Sequence, residues 1–208
     1  MELQYYGANC VRITTKKASI VIDDNLSELG LKSVTKPTDI SLRTSRTIPE
    51  HKEAKFSAEM PGEYEIAGVI IHGVMARAHM DEEGKSTATI YTIEAEDIRV
   101  AVVGHIFPNL NEDQLEQIGH VDIAIVPVGG NGYTMDGVGA LQIIKKLEPR
   151  LVIPTHYADK QIKYEVPQAE LSEGLKGLAM EPSETVAKLK VKPNEVTDTT
   201  HLVVLEQQ

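Results

Sequence analysis

Few residues in this sequence have both the type and the spacing that chemistry requires. The single cysteine, Cys10, excludes an intramolecular disulfide, and its apolar neighbours predict a small core residue and not a nucleophile. Residues 129–132 (Gly-Gly-Asn-Gly) form a flexible turn, but neither a helix N-terminus nor a lysine follows at once, so the signal for a phosphate loop is weak. His72, His120 and His201 lie in or beside predicted strands and are expected to be structural or exposed. No Ser-His-Asp triad can be assembled from spacing alone.

Composition and charge limit the classes of function open to the chain. The 208 residues are 41% hydrophobic and 25% charged, which is ordinary for a soluble globular protein, and we expect one domain over residues 1–208. The net charge of −10 repels phosphate backbones, so nucleic acid is not expected as a partner. With 4% aromatic residues and no tryptophan, a stacking platform for bases or sugars is not indicated.

The sequence predicts neither a membrane partner nor export. No stretch approaches the roughly 18 apolar residues of a membrane-spanning helix, and the first residues lack the basic and apolar regions of a signal peptide. We therefore expect a cytoplasmic protein. An unidentified small molecule, another protein and a homo-oligomer all stay open as partners.

The elements that must position chemical groups follow from apolar periodicity. Helices are expected at 111–118 and 136–147, with Asn111 and Asp136 as N-caps, and a short one at 172–178. Strands are expected at 11–14, 19–22, 69–74, 86–94, 98–103, 121–128, 151–154, 184–191 and 200–205. Along the chain, the predicted strands come first and strand–helix–strand units follow. This order implies layered sheets with helices on the outside.

Two segments between these elements are expected to be irregular. Residues 38–55 are polar and have no clear period, so they predict a loop. Residues 61–64 (Pro-Gly-Glu-Tyr) predict a turn, because glycine supplies turn dihedral angles that other residues avoid.

Five short motifs occur in order along nearly the whole chain. They lie at residues 7–10, at Asp23, and at residues 61–65, 127–136 and 153–157. Together they resemble the metallo-β-lactamase superfamily, and in particular its small Zn-dependent hydrolases related to the ascorbate-lactone hydrolases. The resemblance implies an α/β fold, an αββα sandwich of two mixed sheets between helix layers. It also implies that Asp23 anchors loops by hydrogen bonds.

The resemblance further implies a binuclear zinc site at one edge of the sandwich. Its main element is a His-x-His-x-Asp-His loop after a strand, and a later histidine, an aspartate in a Gly-Asp turn and a last histidine complete it. Imidazole and carboxylate suit Zn²⁺, and two adjacent ions lower the pKa of a bridging water to give a hydroxide nucleophile.

This sequence departs from that motif at most ligand positions. The loop should fall in residues 38–51, and an alignment without gaps places the four ligand positions on Ser45, Thr47, Pro49 and Glu50. A shift by one residue places Glu50 and His51 on the last acid–His pair but still leaves the first two histidines missing. Arg43 and Arg46 lie in the same loop, where a cation would repel Zn²⁺ at short range. We expect both arginines to be solvated.

Three histidines nevertheless fall on ligand positions. His79 and His156 match the family unchanged, and the Gly-Asp turn reads Gly104-His105. The leading hypothesis is a degenerate member without zinc or any other cofactor and without hydrolase activity, a pseudoenzyme that acts as a binding or interaction module. The alternative is a metal-dependent hydrolase of a small ester, lactone or phosphoester. It would hold one Zn²⁺ or other divalent ion at His79, His105 and His156, since catalytic zinc uses three protein ligands and a water.

Overall fold

The computed structural model describes residues 1–193 and 199–208 and contains two mixed β-sheets. The strands are β1 (Glu2–Gly7), β2 (Cys10–Thr14), β3 (Ser19–Ile22), β4 (Ile40–Leu42), β5 (Phe56–Ala58), β6 (Gly62–Ile66), β7 (Val69–Ala76), β8 (Ala88–Ala95), β9 (Ile98–Val102), β10 (Ile123–Pro127), β11 (Leu151–Thr155), β12 (Pro182–Val186), β13 (Leu189–Lys190) and β14 (His201–Leu205). The helices are α1 (Glu112–Ile118), α2 (Gly137–Leu147) and α3 (Leu171–Leu178).

The two sheets face each other across one apolar core. The first has six strands in the order β13-β1-β2-β3-β4-β5, and the second has eight in the order β12-β14-β11-β10-β9-β8-β7-β6. Leu3, Ile13 and Ile20 of the first sheet and Ile71 and Ile90 of the second belong to the same buried cluster. The predicted two-sheet fold is therefore confirmed.

The described helices pack on the second sheet. α1 contacts β7, α2 contacts β10, and α3 packs against α2. The predicted caps are present: the Asn111 side chain accepts from the N–H of Gln114, and that of Asp136 accepts from the N–H of Gly139. A loop, and not a described helix, covers the outer face of the first sheet. Leu26, Leu31 and Val34 of this loop pack there in one cluster with Cys10 and Val21.

Cys10 lies under that loop and is fully buried, as predicted. Burial also raises the pKa of its thiol well above its ordinary value, with the Asp24 and Asp23 carboxylates adding to the effect. A protonated, inaccessible thiol cannot act as a nucleophile, which confirms its interpretation as a core residue.

The secondary structure of three segments was predicted wrongly. Residues 38–55 contain β4, whose three buried residues are too few to show a period. The predicted turn at 61–64 is largely the start of β6, which begins at Gly62 with a φ angle of 157°. The single strand at 184–191 is two, since β12 joins the second sheet and β13 the first. β1 was not predicted.

Within the described part of the chain, no helix is long and apolar enough to cross a membrane.

Candidate metal centre

Strand ends bring the three histidines of the family resemblance to one edge of the second sheet. His105 follows β9 and His156 follows β11, and both strands run parallel to β10 between them. β7 runs parallel to β9, because each is antiparallel to β8. The segment after β7 therefore reaches the same edge with His79, whose backbone N–H donates to the carbonyl oxygen of His105 at 2.7 Å.

His105 and His156 are in direct ring contact. Their rings meet edge to face, with centroids 4.6 Å apart. The ring of Tyr133 lies 5.4 Å from that of His105 and 5.6 Å from that of His156. Tyr164 adds a fourth ring, 5.1 Å from that of His156. The two histidines thus form the centre of an aromatic cluster, and His79 lies at its border.

Local hydrogen bonds fix both the backbone and the tautomer of His156. Its φ angle is 54°, and its backbone N–H donates to the carbonyl oxygen of Ala8 at 2.7 Å. Nδ1 lies 3.2 Å from Oε1 of Gln168, whose own amide nitrogen donates to the carbonyl oxygen of Val166 at 2.7 Å. The glutamine thus presents its oxygen to the ring, so Nδ1 carries the proton and Nε2 keeps a free lone pair.

All three imidazoles are held in the neutral form. Burial lowers the pKa of His156 to about 4. Burial, together with repulsion from His156 and His79, lowers the pKa of His105 well below its ordinary value. The pKa of His79 is also lowered, chiefly by burial. Neutral imidazole is the form that binds metal ions, so no proton need be removed near pH 7.

Two ring nitrogens of the cluster lack partners in the described residues. Nδ1 of His79 and Nε2 of His105 are buried without a hydrogen bond, although buried polar atoms are nearly always paired. No group of three or more His, Cys, Asp or Glu side chains in residues 1–193 and 199–208 is already arranged to hold a metal ion. Binding one ion to all three histidines therefore requires their rings to turn.

In the alignment without gaps, the loop after β4 holds no histidine at the family's ligand positions. The hydroxyls of Ser45 and Thr47 lie 2.9 Å apart and bond to each other, and Glu50 is exposed. The prediction of a solvated Arg43 was wrong: this residue is only 8% exposed, and it donates to the carbonyl oxygen of Ile48 and pairs with Glu59. Its charge is neutralised on the side of the loop that packs against β5.

Asp23 anchors this loop to the core, as the resemblance implied. Its carboxylate accepts from the backbone N–H of Thr44 at 2.7 Å, from the Thr44 hydroxyl at 2.6 Å and from the Asn9 amide at 2.6 Å. Asn9 in turn accepts from the hydroxyl of Thr155 at 2.7 Å. Burial raises the pKa of Asp23 to about 6, against the opposing effect of the Thr44 and Asn9 hydrogen bonds. One carboxylate thereby links β3, the loop after β4 and the residue preceding His156.

A cavity of about 280 Å³ opens in front of His156. Tyr133, Tyr164 and Gln168 line it together with two exposed carboxylates, Glu28 and Glu165. Tyr133 belongs to a family motif, but sequence reasoning gave no role to the other four residues. They come from loops with no periodic pattern, so no local signal could have placed them beside His156.

Gly129 allows the end of β10 to approach His156. A Cβ atom there would lie 2.0 Å from the carbonyl oxygen of His156 and 2.4 Å from Oε1 of Gln168. We expect Gly129→Ala to lower the free energy of unfolding by about 3 kcal/mol, since backbone atoms must move apart. Urea unfolding measures the change. Gly132→Ala is the control: a Cβ there meets nothing within 4 Å, and its positive φ should cost about 1 kcal/mol. Equal losses in the two variants would contradict this account.

The lowered pKa of His156 predicts a pH dependence of stability in the metal-free protein. Between pH 6.5 and about 4, His156 is protonated in the unfolded chain but neutral in the folded chain. The free energy of unfolding should therefore be fully retained above pH 6.5 and fall as the pH drops, by about 3 kcal/mol from this residue. Urea titrations at pH 7 and pH 4 of the wild type and of His156→Asn test it. The variant should lose less stability, and identical losses would refute the assignment.

Comparison with known proteins identifies the family. The model of the Beta-lactamase superfamily domain matches residues 2–156, and the chain belongs to this superfamily. A metal-dependent hydrolase from Listeria welshimeri is 23% identical over 229 residues, which cover 89% of this chain and 99% of the relative. One from Enterococcus faecalis is 30% identical over 122 residues, covering 58% of this chain and 50% of the relative.

A solved structure supports the fold over the whole chain. A protein of the metallo-β-lactamase superfamily from Thermotoga maritima superposes with a TM-score of 0.76 at 23% identity. The match covers 99% of this chain and 98% of that one. The metallo-β-lactamase fold expected from the five motifs is thereby confirmed.

The expectation of a pseudoenzyme without a metal cofactor was wrong. The similar proteins from Listeria welshimeri and Enterococcus faecalis are named as metal-dependent hydrolases, and neither name indicates loss of the metal or of hydrolase chemistry. The error came from giving the loop after β4 too much weight. The remaining ligand positions lie at the ends of other strands, where His156 is buried, His79 and His105 are half-buried, and the pKa of each imidazole is lowered.

The residues at this edge fit a divalent metal ion in their chemistry. Three neutral imidazoles meet the usual number of protein ligands at a catalytic zinc site. The atoms that could coordinate the ion are the unpaired ring nitrogens of His79 and His105 and Nε2 of His156, which has a free lone pair. Gln168 gives His156 the outer hydrogen-bond partner that metal-bound histidines almost always have.

Proposed function

We propose that the protein is a hydrolase that uses one divalent metal ion, held by His79, His105 and His156, to cleave a small ester, lactone or phosphoester. The observation that carries the proposal is the pair of buried, unpaired ring nitrogens on His79 and His105, together with the lone pair that the Gln168 contact leaves on Nε2 of His156. The names of the relatives as metal-dependent hydrolases support the same reaction class.

The chemistry of such a site divides between the ion and the protein. A bound divalent ion would supply a water of lowered pKa and polarise the scissile carbonyl or phosphoryl group. In ester hydrolysis the acyl carbon gains the water oxygen, the acyl–oxygen bond breaks, and the leaving alkoxide takes up a proton. Gln168 favours the proton on Nδ1 of His156, which leaves the lone pair of Nε2 free to bind the ion.

Tyr133 is placed to hold the substrate. Burial, with the Glu165, Asp23 and Glu28 carboxylates, raises the pKa of its phenol, so the hydroxyl stays protonated near pH 7. It can then donate a hydrogen bond to an oxygen atom of the substrate in the cavity. A small molecule is the partner that this cavity favours, because its volume of about 280 Å³ lies near the lower end of the range for ligand pockets.

Metal content and activity measured together test the proposal. Purified protein dialysed against Zn²⁺ or Co²⁺ should retain about one ion per chain and hydrolyse p-nitrophenyl acetate. A chelator should abolish turnover, and one equivalent of metal should restore it. Retention of no ion would contradict the proposal, and retention of two would contradict the single-ion site.

A further inference from the structure

The cavity in front of His156 carries negative charge at its mouth. Glu28 and Glu165 both line it and are exposed, and no lysine or arginine is among its lining residues in the described chain. In the metal-free protein, an anion entering the cavity meets repulsion from these two carboxylates, and no lining side chain offsets it.

The inner wall of the same cavity is aromatic. Tyr133 stacks on His156 with 29° between the ring planes, and Tyr164 packs on His156 at 44°. Both tyrosines are partly exposed. Tyrosine rings attract cations through their negative faces, and ammonium groups are bound in this way in other proteins.

The cavity thus combines an acidic mouth, an aromatic wall and a small volume, and these three features together favour one class of ligand. We infer that the cavity recognises a small organic cation, and that the substrate of the proposed hydrolase carries an ammonium group beside its ester or lactone bond. This inference rests on the proposed function for its catalytic half and on the cavity alone for its binding half. Among the proposed substrate classes it favours esters and lactones that carry a positive charge.

A matched pair of probes tests the binding half on metal-free protein. Choline carries a quaternary ammonium group, and 3,3-dimethyl-1-butanol has the same shape without the charge. In ¹H–¹⁵N spectra, choline should shift amides near Glu28 and Glu165 and bind roughly fivefold more tightly than the neutral alcohol. Equal affinities of the two probes would overturn the inference, as would choline shifts confined to other parts of the protein.

Variants that neutralise the two carboxylates test whether the preference for choline over the neutral alcohol arises in this cavity. The double variant Glu28→Gln/Glu165→Gln should bind the two probes equally well. The control Glu63→Gln/Glu65→Gln removes the same charge from exposed positions of β6 and should keep the choline preference. A preference that survives in the first pair, or that is lost as fully in the second, would contradict recognition by this cavity.

The test separates this inference from the proposed function. Failure to retain Zn²⁺ would remove the hydrolase proposal while leaving the choline preference intact. Loss of the choline preference with one ion per chain would remove the cationic substrate alone.

Discussion

Replacing His105 with alanine is expected to lower the affinity of the protein for Zn²⁺ by at least about 100-fold. His105 lies between His79, whose backbone it bonds, and His156, whose ring it touches. With His105 removed, two imidazoles remain, which is fewer than the three protein ligands of a catalytic zinc site. Competition with a chromophoric chelator measures the affinity, and turnover of p-nitrophenyl acetate should disappear in parallel.

His72→Ala is the matched control for this loss. His72 lies on β7, partly exposed and on the same strand that leads to His79, but it is not part of the ring cluster. Its variant should bind Zn²⁺ within about twofold of the wild type, since no ligand is lost. Urea unfolding of the His105 variant shows whether the chain still folds. A folded His105→Ala protein with unchanged Zn²⁺ affinity would eliminate the three-histidine site.

Replacing Asp23 with alanine should produce the largest loss of stability, about 3–4 kcal/mol. The substitution leaves the Thr44 N–H, the Thr44 hydroxyl and the Asn9 amide without their acceptor in a buried environment. For a domain of this size the midpoint of thermal unfolding should fall by roughly 10 °C. Calorimetry measures both quantities. Asp23→Asn retains one acceptor oxygen and should lose about half as much.

The backbone of Asp23 requires its own control, because its φ angle is 52°. Asp97 has a φ of 59° but is exposed, so Asp97→Ala reports the backbone strain without the buried hydrogen bonds. It should cost about 1 kcal/mol or less. If Asp97→Ala and Asp23→Ala lose the same amount, the anchoring role of the carboxylate is wrong.

Asp23 also connects stability to the site. The Thr44 side chain that it holds packs against Gly104, where an added Cβ would lie within 3 Å of three Thr44 atoms. His105 follows directly. We therefore expect folded Asp23→Asn protein to bind Zn²⁺ roughly tenfold less tightly than the wild type, in the way that losses of outer partners weaken metal sites.

The sequence predicted the fold well where apolar runs are long. The eight apolar-rich residues 121–128 predicted β10, and the caps at Asn111 and Asp136 predicted the starts of α1 and α2. It failed at β4, where three residues pair in parallel between β3 and β5. Such a strand is specified by its neighbours in the sheet, and these are distant in the sequence.

Of the candidate site, the sequence singled out only the three histidines, and their role as metal ligands stays a prediction. The family motifs placed His79, His105 and His156 at strand ends, and parallel strands carried them to one edge. Gln168, Tyr164, Glu28 and Glu165 surround His156 from loops whose paths depend on tertiary contacts such as the Ala169 N–H to Gly129 carbonyl bond. The sequence pattern gave no indication of the cavity or of its charge.

Anomalous diffraction at the zinc edge from crystals grown with ZnCl₂ tests the central claim most directly. We expect one peak per chain, with ring nitrogens of His79, His105 and His156 at about 2.0–2.1 Å from the ion. The rings of His105 and His156 should have turned from their present edge-to-face contact. A peak elsewhere, such as between His51 and Glu53, or no peak at all, would contradict the proposed metal centre.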